Sequence, residues 1–222
     1  MTLAPGVELA RACTDFPVQV CGDAGGQKVD IELGDLYAEE RRDILVHLRI
    51  PMAGVLASQG GREVLGRLRG RAFNVRALRS DELAEVKLCL QRSPGLEPGG
   101  CHPCVERHRN RFVATEVLKE SRRAAKRGHI DEALRLLSAA AEALGSSSLA
   151  AAGDQATLSL IADISECMAD LRRQESNSAT VFKKMTCLQQ GHSMQRCANM
   201  SATEVYGNSV SRTTKALFKG VK

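Results

Sequence analysis

The chain has 222 residues, 43% of them hydrophobic and 26% charged, with a formal net charge of +5. Such proportions belong to a soluble globular protein long enough to bury a core in one large domain or two modest ones. They exclude a membrane-spanning chain, because no run of about 18 apolar residues occurs, and they disfavour nucleic-acid binding. Aromatic residues make up only 3% and tryptophan is absent, so no stacking platform accompanies the mild basic charge.

Residues 1–16 carry no basic segment followed by an apolar stretch, which predicts a cytoplasmic or nuclear protein. In that setting the 8 cysteines are expected to be reduced thiols, with Cys167 and Cys187 read as core residues. Basic residues are interleaved with acids except near the C-terminus, where Arg212, Lys215, Lys219 and Lys222 follow one another.

From residue 13 to about 90 the sequence alternates in short runs broken by glycine, the pattern of strands. Val29, Ile31 and Leu33 alternate with Lys28, Asp30 and Glu32. Val46, Leu48 and Ile50 share a face with Ile44, opposite Leu45, His47 and Arg49; a strand is preferred here to a helix through residues 36–48. Residues 22–26 and 59–61 read as hairpin loops, and an antiparallel β-sandwich is expected over residues 1–93. Pro94, Gly95, Pro98, Gly99 and Gly100 mark a linker over residues 94–103.

Beyond the linker the period is helical, and residues 104–190 are expected to form an antiparallel bundle. Val113, Ala114, Val117, Leu118, Ser121, Ala124 and Ala125 stripe one helix, and Ile130, Ala133, Leu134, Leu137, Ala140, Ala141 and Leu144 stripe the next. Gly128 between them supplies the left-handed residue that ends the first helix. Residues 145–153 read as a flexible turn. Asp154 is the expected N-cap of a third helix, striped by Leu160, Ile161, Ile164, Cys167, Met168 and Leu171, and Val181, Phe182, Met185 and Leu188 stripe a fourth. Residues 191–222 are polar and are expected to be loosely packed or partly disordered. The fold class is thus α+β, strands first.

No arrangement with catalytic chemistry emerges, so neither a catalytic residue nor a cofactor site is assigned. Cys101-His102-Pro103-Cys104 has the spacing of half a zinc site, but no second pair follows at finger or ribbon spacing. Asp163 and Ser165 match the start of a D-x-S-x-S metal motif that fails at its third ligand, and both are read as a solvated helix edge. His47 has no acid or nucleophile to work with.

Gly34, Asp35, Leu36, Tyr37, Glu39, Glu40, Asp43, Leu45, Val46 and Pro51 together resemble a segment of the wavy-growth RING ubiquitin-ligase family of plants, downstream of its von Willebrand A domain. Residues 107–144 look like that family's helical Vwaint domain, and Gly191, His192, Ser193, Gln195 and Arg196 with Tyr206 resemble its closing motif. The resemblance implies a noncatalytic interaction or scaffold region that lacks the RING and A domains and binds protein partners, a full-length relative or a ubiquitination substrate. The alternative it implies is an accessory subunit in ubiquitin ligation beside a RING-bearing relative.

Metal content provides the first test. With no second ligand pair, the purified protein is expected to carry less than stoichiometric zinc by elemental analysis. Chelation should leave its melting temperature unmoved, whereas a structural zinc contributes on the order of 10 kcal/mol to folding in small zinc modules.

Overall fold

The computed structural model describes residues 1–23, 25–37, 40–51, 62–91, 100–173 and 178–195. The class is α+β: β1 (Thr2–Leu3), β2 (Glu8–Cys13), β3 (Val18–Asp23), β4 (Gly26–Ile31), β5 (Leu45–Arg49), β6 (Arg62–Asn74) and β7 (Arg79–Gln91) precede all the helices. These are α1 (Pro103–Lys126), α2 (Ile130–Gly145), α3 (Ser148–Ala151), α4 (Gln155–Arg173) and α5 (Ser178–Ser193). The chain separates into two compact units, Met1–Gly34 with Val46–Gly100, and Asp35–Leu45 with Cys101–Lys222.

In the first unit, five strands form an antiparallel sheet in the order β3-β4-β1-β6-β7, and β2 pairs with β5 in a second, two-stranded sheet. Leu3, Val7, Val29 and Leu65 are buried between them, joined by Leu9 of β2 and Leu48 of β5, so both sheets contribute to one small core. The alternation read in β5 holds from Val46 onward, where Val46, Leu48 and Ile50 are half-buried and His47 and Arg49 exposed, but Leu45, read on the outer face, is half-buried as well. β1 lies against β6 at Gly66, where a Cβ would stand 2.6 Å from the Thr2 carbonyl oxygen, so only glycine permits that approach. Of the hairpin loop read at residues 22–26, Gly22 and Asp23 belong instead to β3 and Gly26 to β4, which pair antiparallel with Asp23 opposite Gly26. The hairpin loop at 59–61 and most of the linker lie outside the described residues.

In the second unit, α1 packs against α2, α4 and α5, and α4 packs against α2 and α5. The core is the set of stripes read from the sequence: Ala114, Leu118, Ala124 and Ala125 of α1, Ala133, Leu137, Ala140 and Leu144 of α2, Leu160, Ile164, Cys167 and Leu171 of α4, and Met185 and Leu188 of α5. Gly128 turns the α1–α2 connection at φ +85. Asp154 caps α4, its Oδ2 accepting from the Thr157 N–H at 2.9 Å.

Three expectations are corrected here. Residues 145–153 are not a plain turn, because the Ser147 hydroxyl accepts from the Ala150 N–H and caps the short α3, with Leu149 buried. Cys187 is exposed, since it falls on the outer side of α5, whereas Cys167 is buried; burial pushes the Cys167 thiol pKa up to about 12 and makes it an inert core group. Residues 191–195 are packed rather than loose: α5 continues to Ser193, and Gly191, His192 and Gln195 are buried.

Leu137 is fully buried at the centre of this bundle while Leu158 on α4 is 39% exposed. Urea unfolding should therefore show Leu137→Ala losing about 2–5 kcal/mol, with Leu158→Ala within about 0.5 kcal/mol of the parent.

Candidate functional site

The irregular segment Asp35–Leu45 belongs to the helical unit, and a set of buried polar side chains holds it there. Gln195, just past the end of α5, grips one peptide position twice: its Nε2 donates to the Asp43 carbonyl oxygen at 2.8 Å and its Oε1 accepts from the Asp43 N–H at 3.0 Å. The primary amide thus supplies the donor and acceptor that a neighbouring strand would. Gln195 adopts φ +51, a conformation that costs a non-glycine residue roughly 1–3 kcal/mol and persists where surrounding contacts over-determine it.

Arg111 of α1 ties both ends of the clasp together. Its Nη2 donates to the same Asp43 carbonyl at 2.8 Å and its Nη1 donates to the His192 carbonyl at 3.2 Å, capping the last turn of α5. His192 Nε2 in turn meets Asp163 Oδ2 of α4 at 2.8 Å, with side chains only 4% and 6% exposed. Asp43, Arg111, Asp163, His192 and Gln195 therefore connect the segment to α1, α4 and α5.

The Asp43 carboxylate faces outward from this network and is held by Arg41 at 2.9 Å and by His108 Nε2 at 3.5 Å. Burial holds the His108 pKa below the ordinary imidazole value, against the upward pull of Asp43 and with the help of Arg111, Arg41 and Arg107, so His108 favours its neutral form at neutral pH. Further along the segment, the Glu40 N–H donates to the Tyr37 carbonyl at 3.0 Å, and Glu40 Oε2 accepts from the Tyr37 N–H at 3.1 Å and from Arg42 at 2.8 Å. Leu36 is 48% and Tyr37 66% exposed.

A second polar cluster fastens the entrance of α1. Arg107 Nε donates to Asp154 at 3.0 Å, and Glu106 accepts from the Ser148 N–H at 3.1 Å and hydroxyl at 2.6 Å. Burial alone would raise the Asp154 pKa, but the Arg107 and Thr157 donors outweigh it and hold the carboxyl below its ordinary range.

The His192–Asp163 pair is closed to solvent, its two side chains only 4% and 6% exposed. Cys104 and His108 stand one helical turn apart, yet His108 Nδ1 is buried without a hydrogen-bond partner and forms no thiol–imidazole pair. Cys101 and Cys104 are exposed at the start of α1, where the His102 ring accepts from the Cys104 N–H as an N-cap. Among the described residues, no group of three or more His, Cys, Asp or Glu side chains could hold a metal ion. His47 is exposed on β5 and Ser165 donates to the Ile161 carbonyl at 2.8 Å.

Asp163 overturns its sequence reading, being 4% exposed rather than a solvated edge. A signal for it was present. Asp163 lies three residues after Leu160 and four before Cys167, on the apolar stripe itself, and a carboxylate on such a stripe needs a buried partner. Arg111 likewise stands on the α1 stripe, three residues before Ala114.

Asp43, Arg111, His192 and Gln195 of this network fall in the three stretches whose sequence carries the resemblance, whereas Asp163 lies outside them. Against curated proteins, the chain is 32% identical to E3 ubiquitin-protein ligase WAV3 of Arabidopsis thaliana over 139 residues, 61% of this chain and 17% of the relative. It is 33% identical to E3 ubiquitin-protein ligase WAVH1 of the same plant over 112 residues, 50% of this chain and 16% of the relative. The chain is related to these plant ubiquitin ligases. It spans under one fifth of the length of either. No family model matches the chain, and no solved structure matches it.

Gln195→Ala removes both amide bonds to Asp43, and leaving buried polar groups unpaired costs about 1–3 kcal/mol. The expected result is faster amide hydrogen exchange at Asp43 and its neighbours, with exchange in the α1–α2 hairpin unchanged. Unaltered protection at Asp43 would mean that the clasp does not hold the segment.

Proposed function

We propose that this chain is a noncatalytic protein-interaction scaffold from the plant ubiquitin-ligase lineage, whose helical unit presents the described residues of the 35–40 stretch, Leu36 and Tyr37 foremost, to a protein partner. The observation that carries this reading is the combination of a buried clasp and an exposed tip. Asp43 is held by hydrogen bonds from Gln195 and Arg111 and by an ion pair with Arg41, while Leu36 and Tyr37, a few residues away, point their apolar surface into solvent. A segment ordered in advance loses little entropy on binding, and aromatic side chains are favoured anchors at interfaces.

The names of the relatives favour a second reading, an accessory role in ubiquitin ligation beside a RING-bearing relative. It shares the presented segment and adds a specific kind of partner.

The two readings are tested together by affinity capture from plant extract with the parent chain and a Leu36→Ser/Tyr37→Ser variant. A scaffold should recover partners that the variant loses by tenfold or more, with Gln195→Ala intermediate. Equal recovery by parent and variant sinks the role assigned to residues 35–40. In a ubiquitination assay the chain alone should be inactive, and a change in the output of added full-length WAV3 would support the accessory reading.

A further inference from the structure

We propose that β7 is the seat of a second copy of this chain, two copies joining edge to edge through antiparallel β7–β7 pairing about a two-fold axis. Among the described residues β7 ends the five-stranded sheet, and an outer backbone row of that kind is an edge open to pairing. Charges on an edge strand ordinarily prevent indiscriminate association, and most of those on β7 are already engaged: Arg79 with Asp81 at 2.8 Å, and Glu85 with Arg67 at 3.2 Å and Arg69 at 2.8 Å. Glu82 and Lys87 are exposed and make no ion pair among the described residues. Between them stand Leu83, 63% exposed, and Val86, 57% exposed.

The register of β6 on β7 decides how these four residues face. Leu68 pairs with Val86 and Gly70 with Leu83, so β7 carries one extra residue in this interval. Leu68 and Gly70, two apart on β6, share a face, and their partners Val86 and Leu83 must share it too, although residues three apart on a regular strand point to opposite sides. Glu82 and Lys87 fall on the other face. An antiparallel pairing centred between Ala84 and Glu85 then sets Leu83 opposite Val86 of the second copy and Glu82 opposite Lys87 of the second copy, each twice by symmetry. Faces match on both sides of the bulge in this register. Centring the pairing on Ala84 instead sets Leu83 against Glu85 on opposite faces, and centring it on Glu85 juxtaposes like charges. The apolar strip is also continuous with the sheet core, since Val86 shares its face with Leu88 and Leu90, which pack against that core. Pairing of two β7 strands would therefore prolong the core across the dimer axis.

Sedimentation velocity on the full chain over a concentration series tests this. The parent chain should show a concentration-dependent dimer. Glu82→Lys and Lys87→Glu each turn both cross-strand pairs from attraction into repulsion and should each weaken the dimer by roughly tenfold or more. Mixed together, they restore opposite charges at every pair and should associate again. A parent chain that stays monomeric throughout overturns the proposal, as does a dimer indifferent to Lys87→Glu, or two monomeric variants that ignore each other when mixed. Failure here leaves the scaffold reading standing, because that reading is measured through Leu36 and Tyr37.

Discussion

The peptide group of Asp43 has to satisfy its hydrogen-bonding capacity inside a helical bundle, and much else in the helical unit follows from that constraint. An irregular segment brings polar backbone with it, and a buried N–H or C=O without a partner costs about as much as a lost hydrogen bond. Gln195 answers both groups with one side chain, and Arg111 doubles the bond to the carbonyl. Because Arg111 also caps the His192 carbonyl, the end of α5 and the segment are fixed by the same guanidinium. A neutral or shorter residue at position 111 could not span both carbonyls.

Apolar packing and polar clasping divide the work. Burying a leucine or isoleucine such as Leu118, Leu137 or Ile164 is worth about 1.5–3 kcal/mol, against a net of about 1 kcal/mol for an ordinary hydrogen bond. The stripes of α1, α2, α4 and α5 therefore supply the stability of the bundle. Apolar contacts are non-directional, however, and cannot choose one position for residues 35–45. The hydrogen bonds choose it, since each of them fails if the segment slips by a single residue. The sheet unit shows the opposite balance: its core is small, and β6 and β7 run on past it with Leu68, Leu83 and Val86 uncovered.

The clasp also accounts for how two chemically suggestive residues are engaged. His192 and Asp163 meet at hydrogen-bond distance, and with side chains 4% and 6% exposed they link α4 to α5 inside the bundle. Titratable groups at a catalytic centre are usually reachable and matched to a nucleophile or an open metal position. The groups brought together here are matched to one another, and nearby on the same segment Leu36 and Tyr37 are exposed.

The sequence by itself determined the α+β order, the helical stripes, the left-handed turn at Gly128 and the cap at Asp154. Each is written in residues within a few positions of one another, where the 3.6-residue and two-residue periods and the chemistry of turns operate. It also placed Gly34–Asp43 and Gly191–Gln195 in recognisable motifs without saying why they go together. Only the tertiary structure decided that Asp43 and Gln195, 152 residues apart, bond to each other, that Asp163 is buried against His192, and that residues 145–153 close into a capped helical turn. The physical reason is one of range. Periodicity reports which side of an element is apolar, whereas a polar residue on that side declares only that it needs a partner, and the partner's identity is set by which distant segment the fold delivers to it.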